Sequence, residues 1–257
     1  MRIGIIGGKG WIGSSLGRAL IETGQCPAGD IVILTRGGVA QDYFGHPVAW
    51  ARDVADLVDR SDLIVVSVRP QDWPALALDA RGKPVISVMA GVPLRALPPR
   101  SLRALPNAAA ELRQSYTPWL AGPDMTETDR QAAVRILSAI GRCEELDSES
   151  QLDLMTATAG AGPAYSALMA RAVIDFLVQN GVRRSVAENA AEGMICGAAP
   201  LLAGRMDQAG QMVQVFVDYR GTTAAGLQTA ISAGFETALK AGLRAATDRA
   251  AEMGEGF

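Results

Sequence analysis

Four glycines near the start of the chain have the spacing of a phosphate-binding turn. They follow a short apolar run, Ile3–Ile6, and match two versions of the dinucleotide fingerprint. One version uses Gly8, Gly10 and Gly13, and the longer-loop version uses Gly7 in place of Gly8. Such glycines let the strand turn sharply, let the backbone approach a pyrophosphate and let the next helix pack closely. The pattern predicts a nucleotide site with the pyrophosphate on the free N–H groups of that helix.

The residues after the turn and after the second strand extend this candidate site. Trp11 and Ile12 lie within the glycine turn, just before the helix predicted at Ser14–Thr23, so their backbone N–H groups are candidate cofactor contacts. The second strand is followed by Thr35 and Arg36, and no acidic residue occurs until Asp42. NAD-selective domains commonly have an acid here, whereas a hydroxyl and a guanidinium can hold a 2′-phosphate. We therefore expect NADPH in preference to NADH; the alternative is that Arg36 is only a solvated surface cation.

The hydrophobic pattern divides the chain into two parts. In the first part, short apolar runs alternate with helical or turn segments, which predicts a doubly wound parallel sheet of the Rossmann type. From Gln151 onward the residues favour helices, and no convincing strand remains. We expect a dinucleotide-binding domain at 1–146 and an all-α substrate and dimerisation domain at 147–257. The predicted strands are Ile3–Ile6, Ile31–Leu34, Leu63–Val68 and Pro84–Met89, and the predicted helices of the second part are Gln151–Thr158, Pro163–Gln179, Ser185–Ala203 and Gly221–Met253.

Composition excludes several classes of protein. The chain has 257 residues, a formal net charge of −3 and few aromatic residues, which argues against nucleic-acid or membrane-surface binding. Cys26, Cys143 and Cys196 are far apart and the single histidine is His46, so no metal site is predicted. No targeting segment is recognisable, and we expect a cytoplasmic protein.

Five segments, in the same order along the chain, resemble the pyrroline-5-carboxylate reductase family. The family's Gly-Ser-Gly-Pro-Ala-Tyr and Gly-Gly-Thr-Thr-x-x-Gly-Leu motifs have close counterparts here, as do its Val-Lys-Pro-Gln and Met-Pro-Asn motifs. The resemblance implies an NADPH-dependent reductase of a cyclic imine, assembled as a homodimer or larger oligomer through its C-terminal helices. The matching segments are Val68–Gln71, Leu105–Asn107, Gly160–Tyr165, Gly221–Leu227 and Gly234–Arg249.

The resemblance also assigns roles to individual residues. Thr223 would hydrogen-bond the imine nitrogen, and Gly221 and Thr222 would open a helix and orient an anionic group; alternatively, Thr222 is only the helix cap. Tyr165 would contact the substrate, although a packed helical tyrosine is an equal alternative. Asn107 would orient the nicotinamide or its ribose. Val68 and Pro70 would line the cofactor groove.

The largest departure from the family lies in its Ser-Pro-Gly-Gly turn, which here reads Asp218-Tyr219-Arg220-Gly221. An ionised Asp218 would repel a substrate carboxylate unless Arg220 neutralises it or binds the anion itself. Asp218 could instead donate a proton, hold a substrate ammonium, or be a simple turn residue.

These departures leave several functions open. The protein could reduce pyrroline-5-carboxylate to proline, or reduce another cyclic imine in a specialised pathway. It could also be a regulatory protein that binds NADP without turnover, or could use another hydride carrier such as a deazaflavin. Turnover and a panel of imines distinguish among these possibilities.

Overall fold

The computed structural model describes residues 1–38 and 42–257. The chain divides into two compact units. The first contains Met1–Ala161 together with Ala245–Phe257, and the second contains Gly162–Arg244. The domain boundary expected at 146/147 stays a prediction.

The first unit is built on an eight-stranded sheet in the order β3-β2-β1-β4-β5-β6-β7-β8. The first six strands have the 3-2-1-4-5-6 order of doubly wound nucleotide-binding folds. All neighbouring strands are parallel except β6 and β7, which are antiparallel. The strands are β1 Ile3–Ile6, β2 Ile31–Leu34, β3 Ala49–Trp50, β4 Leu63–Val66, β5 Val85–Ser87, β6 Ser101–Ala104, β7 Ser115–Ala121 and β8 Gly141–Glu145.

Both faces of this sheet are covered by apolar residues, which explains the nearly continuous apolar runs. Ile5 and Val65 belong to a core cluster on one face, and Ile6 and Val66 belong to a cluster on the other. All four side chains are buried. The helices up to residue 161 are α1 Trp11–Glu22, α2 Val54–Arg60, α3 Trp73–Leu76, α4 Glu127–Ser138 and α5 Glu149–Met155.

From α5 to the C-terminus, the regular elements of the described chain are all helical. A π-helical turn at Thr156–Gly160 follows α5, and a second one lies at Gly193–Gly197. The helices are α6 Gly162–Gln179, α7 Arg184–Glu192, α8 Ala209–Asp218, α9 Thr222–Ser232 and α10 Phe235–Glu255.

The predicted fold class is confirmed, but several elements differ in extent. The stretch Gly221–Met253 forms two helices, because the chain turns at Ala233–Gly234. The helix expected at Ser185–Ala203 ends at Glu192, and shorter helical turns continue toward Pro200. Strands β6, β7 and β8 and helix α4 were not recognised in the sequence, since polar residues interrupt their apolar patterns.

Candidate active site

The glycine turn follows the longer-loop spacing. Gly7 comes directly after β1 and has a φ of +80°. A Cβ atom at Gly7 would lie 2.2 Å from the Ser67 carbonyl oxygen, so only glycine fits there. The Gly10 N–H donates a 2.8 Å hydrogen bond to the Gly7 carbonyl, and a Cβ at Gly13 would lie 2.5 Å from the same oxygen. Gly7, Gly10 and Gly13 therefore form the turn.

Gly8 has a different role from the one its spacing suggests. A Cβ there would lie 2.7 Å from the Ile33 Cδ1 atom, so Gly8 permits close packing against β2. Its carbonyl accepts a 3.0 Å hydrogen bond from the hydroxyl of Tyr43, a fully buried residue that the sequence reasoning missed.

Helix α1 begins with a backbone arrangement that suits an anionic ligand. Gly10 is its N-cap, and no side chain caps the helix. The first N–H groups, including those of Trp11 and Ile12, have no acceptor within the helix. The positive end of the helix dipole and these donors together favour a phosphate group.

A cavity of about 740 Å³ opens beside this turn. Backbone from β1 and the glycine turn lines one part, and apolar side chains of Val54, Ala75 and Leu76 line another. The volume lies within the range of small-molecule and cofactor sites. The residues present therefore fit a dinucleotide: a glycine turn for the pyrophosphate and apolar walls for a base. The complete lining is Ile6, Gly7, Lys9, Gly10, Leu34, Thr35, Arg36, Asp53, Val54, Ser67, Val68, Arg69, Gln71, Asp72, Ala75 and Leu76.

Of the four predicted cofactor residues that follow β2 and β4, three line this cavity and one does not. Thr35 and Arg36 line it, and Val68 lines it from the end of β4. The Thr35 hydroxyl donates to the Gly38 carbonyl at 3.0 Å, so it also stabilises the turn after β2. Pro70 begins a short 3₁₀ helix beside the cavity and is not part of its wall.

Asn107 has two internal contacts. Its Oδ1 atom accepts a 2.9 Å hydrogen bond from the Ala109 N–H, and its Nδ2 atom donates at 2.8 Å to the Ala159 carbonyl. The side chain thus ties the loop after β6 to the π-helical turn before α6. One Nδ2 proton is left for a ligand, since an amide carries two.

All the predicted substrate residues of the second unit except Tyr165 lie at the turn from α8 to α9. Asp218 is the last residue of α8, and its Oδ1 atom accepts a 2.8 Å hydrogen bond from Gln214. Arg220 has a φ of +57°, which is uncommon for a residue with a side chain. Gly221 is the N-cap of α9, and no side chain caps that helix. The alternative interpretation of Thr222 as the cap is therefore wrong, because Thr222 is the first helical residue.

Thr222 and Thr223 are exposed at the start of α9. Among the described residues, neither hydroxyl makes a hydrogen bond. Tyr165 lies on α6 within the same unit, and a Cβ at Gly242 would lie 3.6 Å from its hydroxyl oxygen. Tyr165 is thus a partly buried side chain next to α10, with its hydroxyl free for a ligand in the described part of the chain.

The second unit exposes large apolar side chains that a single chain does not cover. Phe176, Val215 and Met194 have exposed fractions of 64%, 61% and 56%. Such surfaces mark interaction sites in soluble proteins. By length and mean hydropathy alone, the helical stretch Glu149–Gln179 could also cross a membrane. No cluster of three metal-binding side chains occurs in residues 1–38 and 42–257.

Comparisons with known proteins assign the chain to a family. A Synechocystis pyrroline-5-carboxylate reductase is 31% identical over 267 residues and is matched over 99% of both chains. The chain belongs to the pyrroline-5-carboxylate reductase family. A Mycobacterium tuberculosis pyrroline-5-carboxylate reductase is 30% identical, with 98% of this chain and 96% of the relative covered.

Two family models match different parts of the chain. The model described as pyrroline-5-carboxylate reductase dimerisation matches residues 149–253. The model described as NADP oxidoreductase, coenzyme F420-dependent, matches residues 2–91. The first match includes most of the exposed apolar helices, which confirms the expectation of a homo-oligomer. The second supports NADP as the nucleotide.

Solved structures agree with the fold. The pyrroline-5-carboxylate reductase of Coxiella burnetii has a TM-score of 0.86 and 25% identity, with 98% of both chains covered. The Plasmodium falciparum pyrroline carboxylate reductase, solved with NADP bound, has a TM-score of 0.85 and 21% identity over 99% of this chain and 98% of that one. The expected NADP-dependent oxidoreductase is confirmed at the level of the family.

Sequence reasoning missed six polar residues of the cavity wall: Lys9, Asp53, Ser67, Arg69, Gln71 and Asp72. Lys9 lies inside the glycine motif, and a cation at that point was a usable signal for a phosphate ligand. Arg69 and Gln71 lie in the Val68–Gln71 segment, whose resemblance to the family was noticed without assigning them roles.

Proposed function

We propose that the protein catalyses the NADPH-dependent reduction of pyrroline-5-carboxylate to proline. The observation that carries this proposal is the nearly full-length match to the Synechocystis reductase, which spans the glycine turn and both threonines of α9. The cavity beside the glycine turn supplies the physical fit for the nucleotide. NADPH, when bound, supplies a hydride for the imine carbon.

The residues of the glycine turn hold the nucleotide in this proposal. The N–H groups at the start of α1, with Gly10, Trp11 and Ile12, bind the pyrophosphate. Gly8 and Gly13 permit the close packing that keeps this turn in place. Thr35 and Arg36 contact the 2′-phosphate. Val68, Pro70 and Asn107 shape and orient the nicotinamide half of the site.

The α8–α9 turn binds the substrate. The substrate reacts as its protonated imine, so the nitrogen already carries the proton that balances the hydride added to carbon. Thr223 accepts a hydrogen bond from that N–H and orients the nitrogen while the carbon is reduced. The Gly221 N–H and the Thr222 hydroxyl orient the substrate carboxylate at the positive end of α9. Arg220 offsets the charge of Asp218, and Tyr165 contacts the substrate ring.

The C-terminal helices form a homodimer or a larger homo-oligomer in the cytoplasm. The exposed apolar side chains of α6 and α8 supply the area that a second copy would bury. Burial of these helices against a second copy explains why the stretch 149–179 is apolar, and no membrane is needed for that explanation. The domains are divided at 146/147 in this proposal.

The test is the oxidation of NADPH and NADH with pyrroline-5-carboxylate, followed at the nicotinamide absorbance. Turnover that prefers NADPH and yields proline is the expected result. Binding of NADPH without turnover would contradict the proposal and favour a regulatory role.

A second candidate is the reduction of a different cyclic imine. It is favoured by the α8–α9 turn, where Asp218 and Arg220 replace the family's serine and glycine and where Arg220 adopts a φ of +57°. A panel of cyclic imines with and without a carboxylate separates the two candidates. Higher kcat/KM for an imine lacking the carboxylate would select the second.

A further inference from the structure

A second arginine lies beside Arg36 at the edge of the nucleotide cavity. Arg69 follows β4, and Asp72 lies three residues later in the same loop. The Arg69 Nε and Nη2 atoms donate to the two Asp72 carboxylate oxygens at 3.0 and 3.4 Å. Arg36 Nη1 lies 3.3 Å from Asp72 Oδ2. One carboxylate therefore bridges two guanidinium groups, one after β2 and one after β4, the strands on either side of β1.

We infer that Arg69 is a second ligand for the 2′-phosphate of NADP and that Asp72 positions both arginines for it. This inference rests on the proposed nucleotide site. All three side chains line the same cavity, together with Thr35. The apolar wall of Val54, Ala75 and Leu76 belongs to the same cavity and suits the adenine.

The charge balance of this cluster favours a dianion. Two guanidinium groups and one carboxylate leave a net charge of +1 before the nucleotide binds. A guanidinium has five N–H donors, and Asp72 takes two from Arg69 in hydrogen bonds and one from Arg36 in an ion pair. Both arginines therefore retain donors for phosphate oxygens. The side chains of Arg36 and Arg69 are 78% and 63% exposed, so a ligand can reach them.

Asp72 reduces the electrostatic repulsion between the guanidinium groups of Arg36 and Arg69. Without it, two cations at the cavity edge would repel each other and spread into solvent. The hydrogen bond from Arg69 lowers the pKa of Asp72, followed by smaller contributions from Arg36, so the bridging carboxylate stays ionised at neutral pH. Holding two long side chains near their bound positions reduces the entropy lost on binding.

The test is the binding of NADP⁺ and NAD⁺ to the purified protein by isothermal titration calorimetry. Hydrogen bonds to a phosphate are charge-assisted, so Arg69→Gln should weaken NADP⁺ binding roughly tenfold and change NAD⁺ binding less than about twofold. Arg36→Gln should have a similar effect, and the double variant should bind both nucleotides alike. Adenosine 2′,5′-bisphosphate and 5′-AMP serve as probes of the adenosine end alone and should show the same selectivity.

Arg81→Gln is the matched control, because Arg81 is an exposed arginine paired with Asp59 and lies outside the cavity lining. It removes the same net charge and should leave both affinities unchanged. Equal weakening of NADP⁺ and NAD⁺ by Arg69→Gln, or no weakening, would overturn the role of Arg69.

Asp72→Asn tests the positioning step. It should reduce NADP⁺ affinity about threefold without weakening NAD⁺, since the arginines are no longer held together. Unchanged or tighter NADP⁺ binding would overturn that step. These measurements use binding alone, so loss of turnover with pyrroline-5-carboxylate would contradict the proposed reaction and leave the nucleotide result intact.

Discussion

The Tyr43 hydroxyl donates a 3.0 Å hydrogen bond to the Gly8 carbonyl and so holds the glycine turn, although neither residue lines the cavity. The same hydroxyl lies 3.4 Å from the Gly13 carbonyl. Tyr43 is fully buried and packs edge-to-face against Trp50. It comes from the segment after β2, so the loop that follows the second strand supports the turn that follows the first.

Tyr43→Phe should therefore weaken nucleotide binding. The change leaves the ring in place and removes one buried donor, which costs about 1–2 kcal/mol of stability and loosens the turn. We expect weaker binding of both NADP⁺ and NAD⁺, because the turn contacts the pyrophosphate that they share. Calorimetric titration and thermal unfolding measure the two effects.

Tyr116→Phe is the control for this change, because the Tyr116 hydroxyl bonds to Glu144 at an exposed position on the sheet. Tyr116→Phe should change the affinity for neither NADP⁺ nor NAD⁺. Gly17→Ala provides a second variant, since its Cβ would lie 2.2 Å from the Tyr43 hydroxyl and would push the tyrosine aside. If Gly17→Ala and Tyr43→Phe both left nucleotide affinity unchanged, Tyr43 would have no role in supporting the turn.

Thr223→Val should lower turnover with pyrroline-5-carboxylate more than it weakens NADPH binding. The exchange preserves side-chain shape and removes the hydroxyl that contacts the imine nitrogen in the proposed reaction. Loss of one hydrogen bond that acts on the reacting atom should lower kcat/KM on the order of tenfold to a hundredfold. Steady-state kinetics and NADPH titration together separate catalysis from cofactor affinity.

Thr229→Val is the control within the same helix. Thr229 is an exposed residue of α9 outside its first turn, so the same Thr→Val exchange is made there without touching the proposed substrate contacts. A wild-type rate in Thr223→Val, or an equal loss in both variants, would remove the assigned role of Thr223.

Asp218→Asn should lower the KM for pyrroline-5-carboxylate. Asparagine retains an oxygen that can accept the hydrogen bond from Gln214 and removes a negative charge near the proposed carboxylate site. Arg220→Gln should raise the KM for pyrroline-5-carboxylate, because it leaves the negative charge of Asp218 without a neighbouring cation and that charge repels the substrate carboxylate. A pair of unit charges at the protein surface interacts by about 1–4 kcal/mol, so changes of several-fold or more are expected.

Asp207→Asn is the exposed control, at an acid in the segment before α8. An unchanged KM in Asp218→Asn would place the substrate carboxylate elsewhere. A rise in KM would instead indicate that Asp218 holds a positively charged group of the substrate.

The parts of this fold that could be predicted are those marked by a sequence pattern within one short segment. The strands at Ile31–Leu34 and Leu63–Val66 are continuous apolar runs, and glycine spacing located the turn before α1. Strand β8 was missed because its sequence, Gly-Arg-Cys-Glu-Glu, pairs at the edge of the sheet, where polar residues are tolerated.

The contacts that complete the site depend on distant parts of the chain. Arg36 and Asp72 are 36 positions apart in the sequence, and they form an ion pair because β2 and β4, the strands that precede them, lie on either side of β1. Tyr43 and Gly8 are likewise in contact because they follow β2 and β1, which pair in the sheet. A motif records which residues precede a helix, but it carries no information on which side chain from another segment packs against them.

The ion pair between Arg100 and Asp129 should contribute to stability in a pH-dependent way. Arg100 Nε and Nη2 donate to the two Asp129 carboxylate oxygens, each at 2.7 Å. Asp129 also accepts hydrogen bonds from the Thr126 N–H and hydroxyl at the start of α4. Burial opposes ionisation of Asp129, but the hydrogen bonds from Arg100 and Thr126 outweigh it, and the pKa is lowered.

Because the folded pKa lies below that of the unfolded chain, the stabilisation is present above the usual aspartate pKa of about 3.9 and is lost as pH falls through the folded value. Asp129→Asn should therefore cost about 2–4 kcal/mol at pH 7, since it leaves a guanidinium without its partner and weakens the helix cap. The difference from wild type should shrink in acid, below about pH 4. Denaturant unfolding at several pH values measures it, with the exposed Asp124→Asn as control. A difference that stays constant between pH 7 and pH 3 would show that packing around residue 129, and not its charge, provides the stability.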